Sequence, residues 1–501
     1  MRDATPEAAG VPRARMMLQR AHWAATAFAE FDLDRTRRVV DAVAEEAYRN
    51  AKRYAEWAVE ETGMGVVEHK VVKNEACSKG IVDWWSDGDY VSARVDADAR
   101  IVEIPRPAGV VLALTPSTNP IATVYFKVIL SLMTRNAVVV SPHPLARHVS
   151  TDAVTRLAQA AVAAGAPDGC VQVVEDPTVP LIEALMSDPT TDVIVATGGT
   201  AVVRAAYRSG NPAWGVGPGN VPALVDQTAD LDATARRLVD SKSFDNSILC
   251  TNESCIIVEE RVADALEKRL GRHGGFVLAE EDVAKVRAAL FPEGRMRIDM
   301  VGKDAVTLAR EAGIHVPAGT RVLVAPFSLV VPEEPLAREK LFPLLGLVRV
   351  PDARRGIDAA RAVLRIGGAG HSAAIHSHDP RTVMAYGAAV QVLRVAVNVG
   401  ASTGSAGIGT NLAPTMTIGT GYFGRSALGE NLEPRHLVNV TRLAYASDHA
   451  EPFGDFHDLQ PWNTVLRAEP LPAREMPADV QRAREDIRRV VLEELRELVR
   501  T

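Results

Sequence analysis

Cysteine is scarce in this chain, and aromatic residues are few: 4 cysteines in 501 residues, and 5% Phe, Trp and Tyr. Cys77, Cys170, Cys250 and Cys255 are too widely spread to staple a chain of this size, which argues against a disulfide framework and for a reducing compartment, the cytoplasm. No CxxC pair occurs, and the close pair Cys250 and Cys255 lacks the His and Cys companions of a zinc site, so no metal is expected. Long apolar runs are missing as well. The stretch 101–114 is interrupted by Pro, Glu and Arg well short of a bilayer span, and MRDATPEAAG lacks the basic-then-apolar order of a secretory signal, so no membrane is expected. There is no dense basic patch either. The 56 basic and 63 acidic residues leave a formal charge of −7, with Lys and Arg scattered, which argues against nucleic acid.

What is present is the balance of a globular protein, 47% hydrophobic and 24% charged, in a chain longer than one core usually organises. Two sizeable domains are expected. From Val110 onward, short β-rich runs alternate with helical stretches, the pattern of a doubly wound α/β sheet. VVLALTP, NAVVVSP, CVQVVED and DVIVATGG read as buried parallel strands, with helices over 121–133, 150–164 and 181–186 between them. A second α/β series follows Cys250, with CIIVEE, RVLVAPF, LGLVRVP, HSAAIHS and QVLRVAVNVG as strands and a helix over 357–365. Upstream, 36–61 reads as one long amphipathic helix. Near the end, LRAEPLPAREMPA is linker-like. After it, Val480, Ala483, Ile487, Val491, Leu495 and Leu498 form an apolar stripe on a charged helix, which could dock on its own subunit, on a neighbour, or in the groove of another protein.

Cys250, in SKSFDNSILCTNES, falls at the junction of the two series, where a cleft is expected. A lone cysteine in a large protein is commonly packing; a nucleophile needs help to ionise and donors for an oxyanion. Asn119 in TPSTNP (115–120) lies between a strand and a helix, placed either to donate to an oxyanion with the Cys250 N–H or to cap that helix. Gly198, Gly199 and Thr200 open another helix after a strand, where a phosphate would find backbone donors and the positive end of the dipole; a plain turn is the alternative. The loop GVGPGN (215–220) reads the same two ways.

EETGMGVVEHKVVKN, TPSTNPIATVYFK, SPHPLA, ATGGTAVVRAAY, GVGPGNVP, FDNSILCTNES, REKLFPLL and GGAGHSAAIHS occur in this order in one family. From about residue 34 to 445 the chain resembles the coenzyme A-acylating branch of the aldehyde dehydrogenase superfamily. The resemblance implies two doubly wound α/β domains with a small oligomerisation β-arm. A cofactor domain would span 1–245 with the arm near 99–105, a catalytic domain 246–429, and an oligomerisation segment 430–465. A linker would follow over 466–477, then an amphipathic helix over 478–501 of the kind that binds a bacterial microcompartment shell protein.

The same resemblance implies Cys250 as nucleophile, Asn119 as oxyanion donor and His371 near the thiol. Thr115, Pro116, Ser141, His143, Gly198, Gly199, Thr200, Gly217, Glu339 and Pro343 would border the nicotinamide cofactor, with Glu339 at its ribose. A hydrolytic relative needs a carboxylate to activate water, at the head of a Glu-Leu-Gly-Gly loop. Here that loop is GVGPGN, without an acidic residue, so CoA and a short-chain aldehyde are the expected substrates and acyl-CoA the product; the alternatives are a hydrolytic dehydrogenase releasing a free carboxylic acid and a non-catalytic structural member of the fold. Ser141, Pro142 and His143 replace the lysine loop of hydrolytic members; NAD is the expected acceptor and NADP stays open. A homodimer or homotetramer is expected, in the cytoplasm or a microcompartment lumen.

Overall fold

The computed structural model describes residues 6–464 and 478–498. They fall into two compact units, Met1–Asp455 and Phe456–Thr501. In the first unit, β1 (Arg94–Asp96) and β2 (Ile101–Pro107) precede a five-stranded sheet. That sheet is built from β3 (Val110–Leu114), β4 (Ala137–Ser141), β5 (Val171–Val173), β6 (Val193–Thr197) and β7 (Ala213–Val216), in the order β5-β4-β3-β6-β7. All its pairs are parallel. A second parallel sheet contains β8 (Val221–Val225), β9 (Glu253–Glu259), β10 (Gly275–Val277), β11 (Val322–Pro326), β12 (Leu344–Val350), β13 (Ala373–His376) and β14 (Val395–Val397), in the order β10-β11-β12-β9-β8-β13-β14. Finally β15 (Val438–Ala444) pairs antiparallel with β2, which pairs with β1.

The strands anticipated from apolar runs are present because helices cover both faces of each parallel sheet, so neither face needs polar alternation. Every residue of β3, β4, β8 and β9 is buried. The helix Pro120–Met133 is mostly apolar and buried at every position but the last, its one charged side chain, Lys127, donating to Leu114 O at 2.6 Å and Val195 O at 2.8 Å.

Three expectations need correction. The long helix over 36–61 is two helices, Leu33–Arg49 and Ala51–Thr62. Asn50 between them leaves the helical region (φ −97°, ψ 5°), and its Nδ2 donates back to Glu46 O at 2.9 Å, the local competition that makes Asn a helix terminator. The boundary at 245 does not match the sheets, because β8 already belongs to the second sheet and pairs with β9. Loop 215–220 is likewise shorter than expected. Its first two residues end β7, so four residues, 217–220, carry the chain from one sheet to the other.

In the second unit, a helix covers Ala478–Leu498, with Val480, Ile487 and Val491 exposed. The linker expected over 466–477, and the last three residues of the segment 478–501, lie outside the described residues.

Candidate active site

In the first sheet the chain starts at β3 and winds outward on both sides, so the connections leaving β3 and β6 diverge. Such a switch point leaves a crevice at the carboxyl ends of the strands. Thr115 and Pro116 follow β3, Ser141 and His143 end or follow β4, Gly198, Gly199 and Thr200 follow β6, and Gly217 follows β7. The sequence-predicted cofactor residues of this sheet therefore share one edge. Thr115 N donates to Ser141 O at 3.1 Å, joining two of these loops. Gly199 caps the helix Thr200–Arg208 and is exposed, and a Cβ there would meet nothing within 4 Å. Folding does not demand glycine at 199; a ligand lying on the helix N-terminus would. His143 is exposed, its Nδ1 accepting from Leu145 N at 3.1 Å.

The amino ends of the second sheet face this edge through the short tether. Cys250 lies in the turn before β9 and is half-buried. The tether packs directly on it: a Cβ on Gly219 would collide with the Cys250 carbonyl. Gly219 N donates to Glu339 Oε1 at 3.1 Å, which brings the glutamate ahead of β12 to the same place. Burial pushes the Glu339 carboxyl up to about 7, the Gly219 N–H and the Lys242 and Lys340 charges offsetting part of the shift. Burial first, and the Glu339 charge second, push the Cys250 thiol up to about 12, against the pull of its own backbone N–H, Arg394 and Lys73. Cys255 is no rival for the nucleophile. It is fully buried inside β9, its Sγ donating to Leu336 O at 3.3 Å.

Asn119 sits at the start of the helix Pro120–Met133 but makes no side-chain cap. Its Nδ2 instead points toward Ile248 O, 3.5 Å away, two residues before Cys250. Nδ2 also donates to Thr118 Oγ1 at 3.2 Å.

His371 is fully buried before β13, its Nδ1 at 3.1 Å from Ser372 Oγ and its Nε2 without a protein partner. Burial and the Arg394 charge hold its ring down to about 3, so it is neutral. Its link to Cys250 runs through Arg394, which donates to His371 O at 3.1 Å and whose charge acts on the thiol. Pro343 is buried at the start of β12 and carries a backbone bond from Leu323 N to its carbonyl, 2.9 Å.

Sequence reasoning missed the network behind Cys250. Asp245, Asn246 and Ser247 are consecutive non-glycine residues with φ of 49°, 50° and 65°. Such conformations cost on the order of 1–3 kcal/mol each and persist where the surroundings over-determine them. Here Asp245 Oδ1 accepts from Val66 N at 2.6 Å, Asp245 N donates to His69 Nδ1 at 2.9 Å, and Asn246 Nδ2 donates to Gly302 O at 2.9 Å. Lys70 and Lys73 both reach Asp245 Oδ2. These residues lie within quoted motifs, yet the separation of more than 170 positions hides their contact. Among the described residues, no group of three or more His, Cys, Asp or Glu could hold a metal.

The crevice at the strand ends of the first sheet thus lies beside a turn that carries a half-buried cysteine, with the Asn119 amide close to that turn. The aldehyde dehydrogenase family model matches residues 4–410, and the chain belongs to that family. It is 35% identical over 439 residues to the bifunctional aldehyde-alcohol dehydrogenase AdhE of Escherichia coli (strain K12), an alignment covering 86% of this chain and 49% of the relative. The chain thus spans about half the length of such curated relatives. Among solved structures, an acetylating aldehyde dehydrogenase from Geobacillus thermoglucosidasius superposes with a TM-score of 0.86 at 34% identity, covering 89% of this chain and 98% of the other. Rhodopseudomonas palustris propionaldehyde dehydrogenase, solved with bound CoA and an acylated cysteine, superposes with a TM-score of 0.78 at 30% identity, covering 86% of this chain and 97% of the other.

Proposed function

We propose that this chain oxidises a short-chain aldehyde to its acyl-CoA through a thioester on Cys250. The observation that carries the reading is the tether against the Cys250 carbonyl, which has no acidic residue where a hydrolytic relative would keep its base. In the proposed sequence the Cys250 thiolate forms a bond to the aldehyde carbon, and the carbonyl electron pair moves onto oxygen. Asn119 Nδ2 and the Cys250 N–H donate to that oxyanion. Its collapse restores the carbonyl and expels a hydride, leaving an acyl group on sulfur. Bound nicotinamide supplies the hydride acceptor. The CoA thiolate then attacks the acyl carbon and Cys250 leaves as thiolate, so acyl transfer needs no activated water.

Gly198, Gly199 and Thr200 would hold the cofactor pyrophosphate on the helix dipole, with Thr115, Pro116, Ser141, His143 and Gly217 along the same edge. Glu339 would take the ribose with Pro343 setting its loop, and His371 would border the thiol as a neutral group. NAD is the proposed acceptor. NADH formation should require CoA across a panel of short aldehydes. Without CoA, mass spectrometry should find an acyl adduct on the peptide bearing Cys250. Glu339 favours a second reading, since a carboxyl near 7 could serve water as a base; equal rates with and without CoA would establish hydrolysis and overturn acyl-CoA formation.

The three-stranded sheet of β1, β2 and β15 has its edge strand largely exposed, which supports a homodimer or homotetramer closed through it. Among the described residues no helix is long and apolar enough to cross a membrane. The helix Ala478–Leu498, with exposed apolar residues on a charged cylinder, supports a docking tag for a microcompartment shell protein and a site in the lumen or the surrounding cytoplasm. Deleting 466–501 should leave turnover intact and abolish binding to shell protein; collapse of the oligomer would instead make the helix structural.

A further inference from the structure

The EETGMGVVEHKVVKN segment has no part in the chemistry above, yet its lysines end in the active site. The helix Val67–Glu75 carries Lys70 and Lys73 one turn apart, and both side chains are almost wholly buried. Lys70 Nζ donates to Thr118 O at 3.1 Å and to Asp245 Oδ2 at 3.2 Å. Lys73 Nζ contacts the same Asp245 oxygen and donates to Asn119 Oδ1 at 2.5 Å. We infer that Lys73 is a positioning residue for aldehyde oxidation: it fixes which way the Asn119 amide faces and keeps an unneutralised positive charge behind the oxyanion donor.

Two features carry this. First, an amide side chain can sit in either of two orientations that fill the same space. With the Lys73 ammonium against one end, the carbonyl oxygen must take that end, because the flipped amide would set donor against donor. Nδ2 is thereby turned to the other side, where it donates to Thr118 Oγ1 at 3.2 Å and lies 3.5 Å from Ile248 O in the Cys250 turn. Second, one carboxylate faces two ammonium groups. A buried pair is balanced by one cation; the second leaves a surplus positive charge in a site shielded from water, and since burial and the Lys73 charge bring Lys70 down to about 8, that surplus is present below about that pH. His69 beside Asp245 is held neutral by burial and adds no charge. The surplus acts on Cys250 in the direction that favours its thiolate, jointly with Arg394 and against Glu339. An oxyanion forming on the carbon bonded to Cys250 would be served in the same sense, through Nδ2–H bonds polarised by the ammonium on the far side of the amide.

The inference rests on the roles proposed for Cys250 and Asn119, and a double-mutant cycle separates the two claims. Lys73→Met leaves Lys70 to pair Asp245, so the buried carboxylate keeps a partner. If that variant does not fold, Lys73→Gln, which keeps a donor without the charge, takes its place in the cycle. With saturating CoA, Asn119→Ala should lower kcat about 10²–10³-fold, as loss of an oxyanion donor does. Lys73→Met should lower it about 10–10²-fold with the KM for NAD unchanged, the pattern of an interaction made in the transition state. The double variant should be slower than Asn119→Ala by clearly less than the factor Lys73→Met costs alone, because the amide is no longer there to position and only the charge acting on Cys250 is still lost. Losses that multiply, or a Lys73→Met enzyme at the wild-type rate, overturn the inference while leaving the site reading intact. An Asn119→Ala enzyme at the wild-type rate removes the oxyanion role itself, whatever Lys73 does.

Discussion

At the carboxyl end of β6, a methyl group on Gly199 would touch no protein atom, and Thr200 beside it is exposed. At the amino ends of β8 and β13 the opposite holds: a methyl on Gly219 would strike the Cys250 carbonyl, and one on Gly370 would strike the Thr420 carbonyl. The first sheet leaves its loop at Gly199 clear of other protein atoms, whereas the second has its loops tied to one another. Arg394 shows the tying, donating to carbonyls of Gly370, His371 and Gly419 and to Asn431 Oδ1 at 2.8 Å. A surface that receives a flexible nucleotide can stay open, while a thiol that must meet a carbon within a fraction of an ångström is held from several sides.

That contrast can be broken at the nucleophile first. Cys250→Ala should lower NADH formation by at least about 10³-fold while circular dichroism and melting stay as in wild type, since the side chain is half-buried and loses one sulfur. A fully active variant would end the thioester scheme. Next comes the tether. Gly219→Ala pushes the Cys250 backbone, so it should cost about 10²-fold in kcat and also lower the melting temperature. Its counterpart on the open side, Gly199→Ala, should leave melting unchanged and raise the KM for NAD roughly 5–10-fold, equivalent to about 1 kcal/mol of lost binding. If Gly199→Ala instead melts early, the loop is closed by the protein itself and the contrast fails.

The smallest effect concerns pH. Folding raises the Glu339 carboxyl from its ordinary 4.5 to about 7, so this group favours the folded state fully below 4.5 and progressively less as pH rises to 7. Glu339→Gln removes that dependence. The variant should gain about 1–3 °C in melting temperature over wild type between pH 5 and pH 8. A gap that does not widen with pH would show that the glutamate is not held in its neutral form.

Most strands of both sheets were legible. Strands β3, β4, β5 and β6 announce themselves as short apolar runs, and Gly198, Gly199 and Thr200 stand at a strand-to-helix turn that reads from sequence as an anion site or as a plain turn. Cys250 and Asn119 were singled out as candidates, the first by its place between the two series and both by resemblance. What stayed hidden depends on distance along the chain. Asp245 meets Lys70 and Lys73 across some 175 positions, and three left-handed residues in FDNS have no local signature, because tertiary bonds rather than residue type hold them there. The strand Val221–Val225 was missed because a proline and a preceding glycine loop break its run, though its neighbours on both sides supply the pairing.

The four residues between β7 and β8 set a limit on how this molecule can breathe. At full extension they reach roughly 14 Å, so the two sheets cannot swing apart beside the sulfur as two hinged lobes might. Traffic to and from the thiol must therefore run along the groove rather than through a gape, and two guests arriving in turn, nucleotide and thiol carrier, would have to use its separate ends or take turns at one.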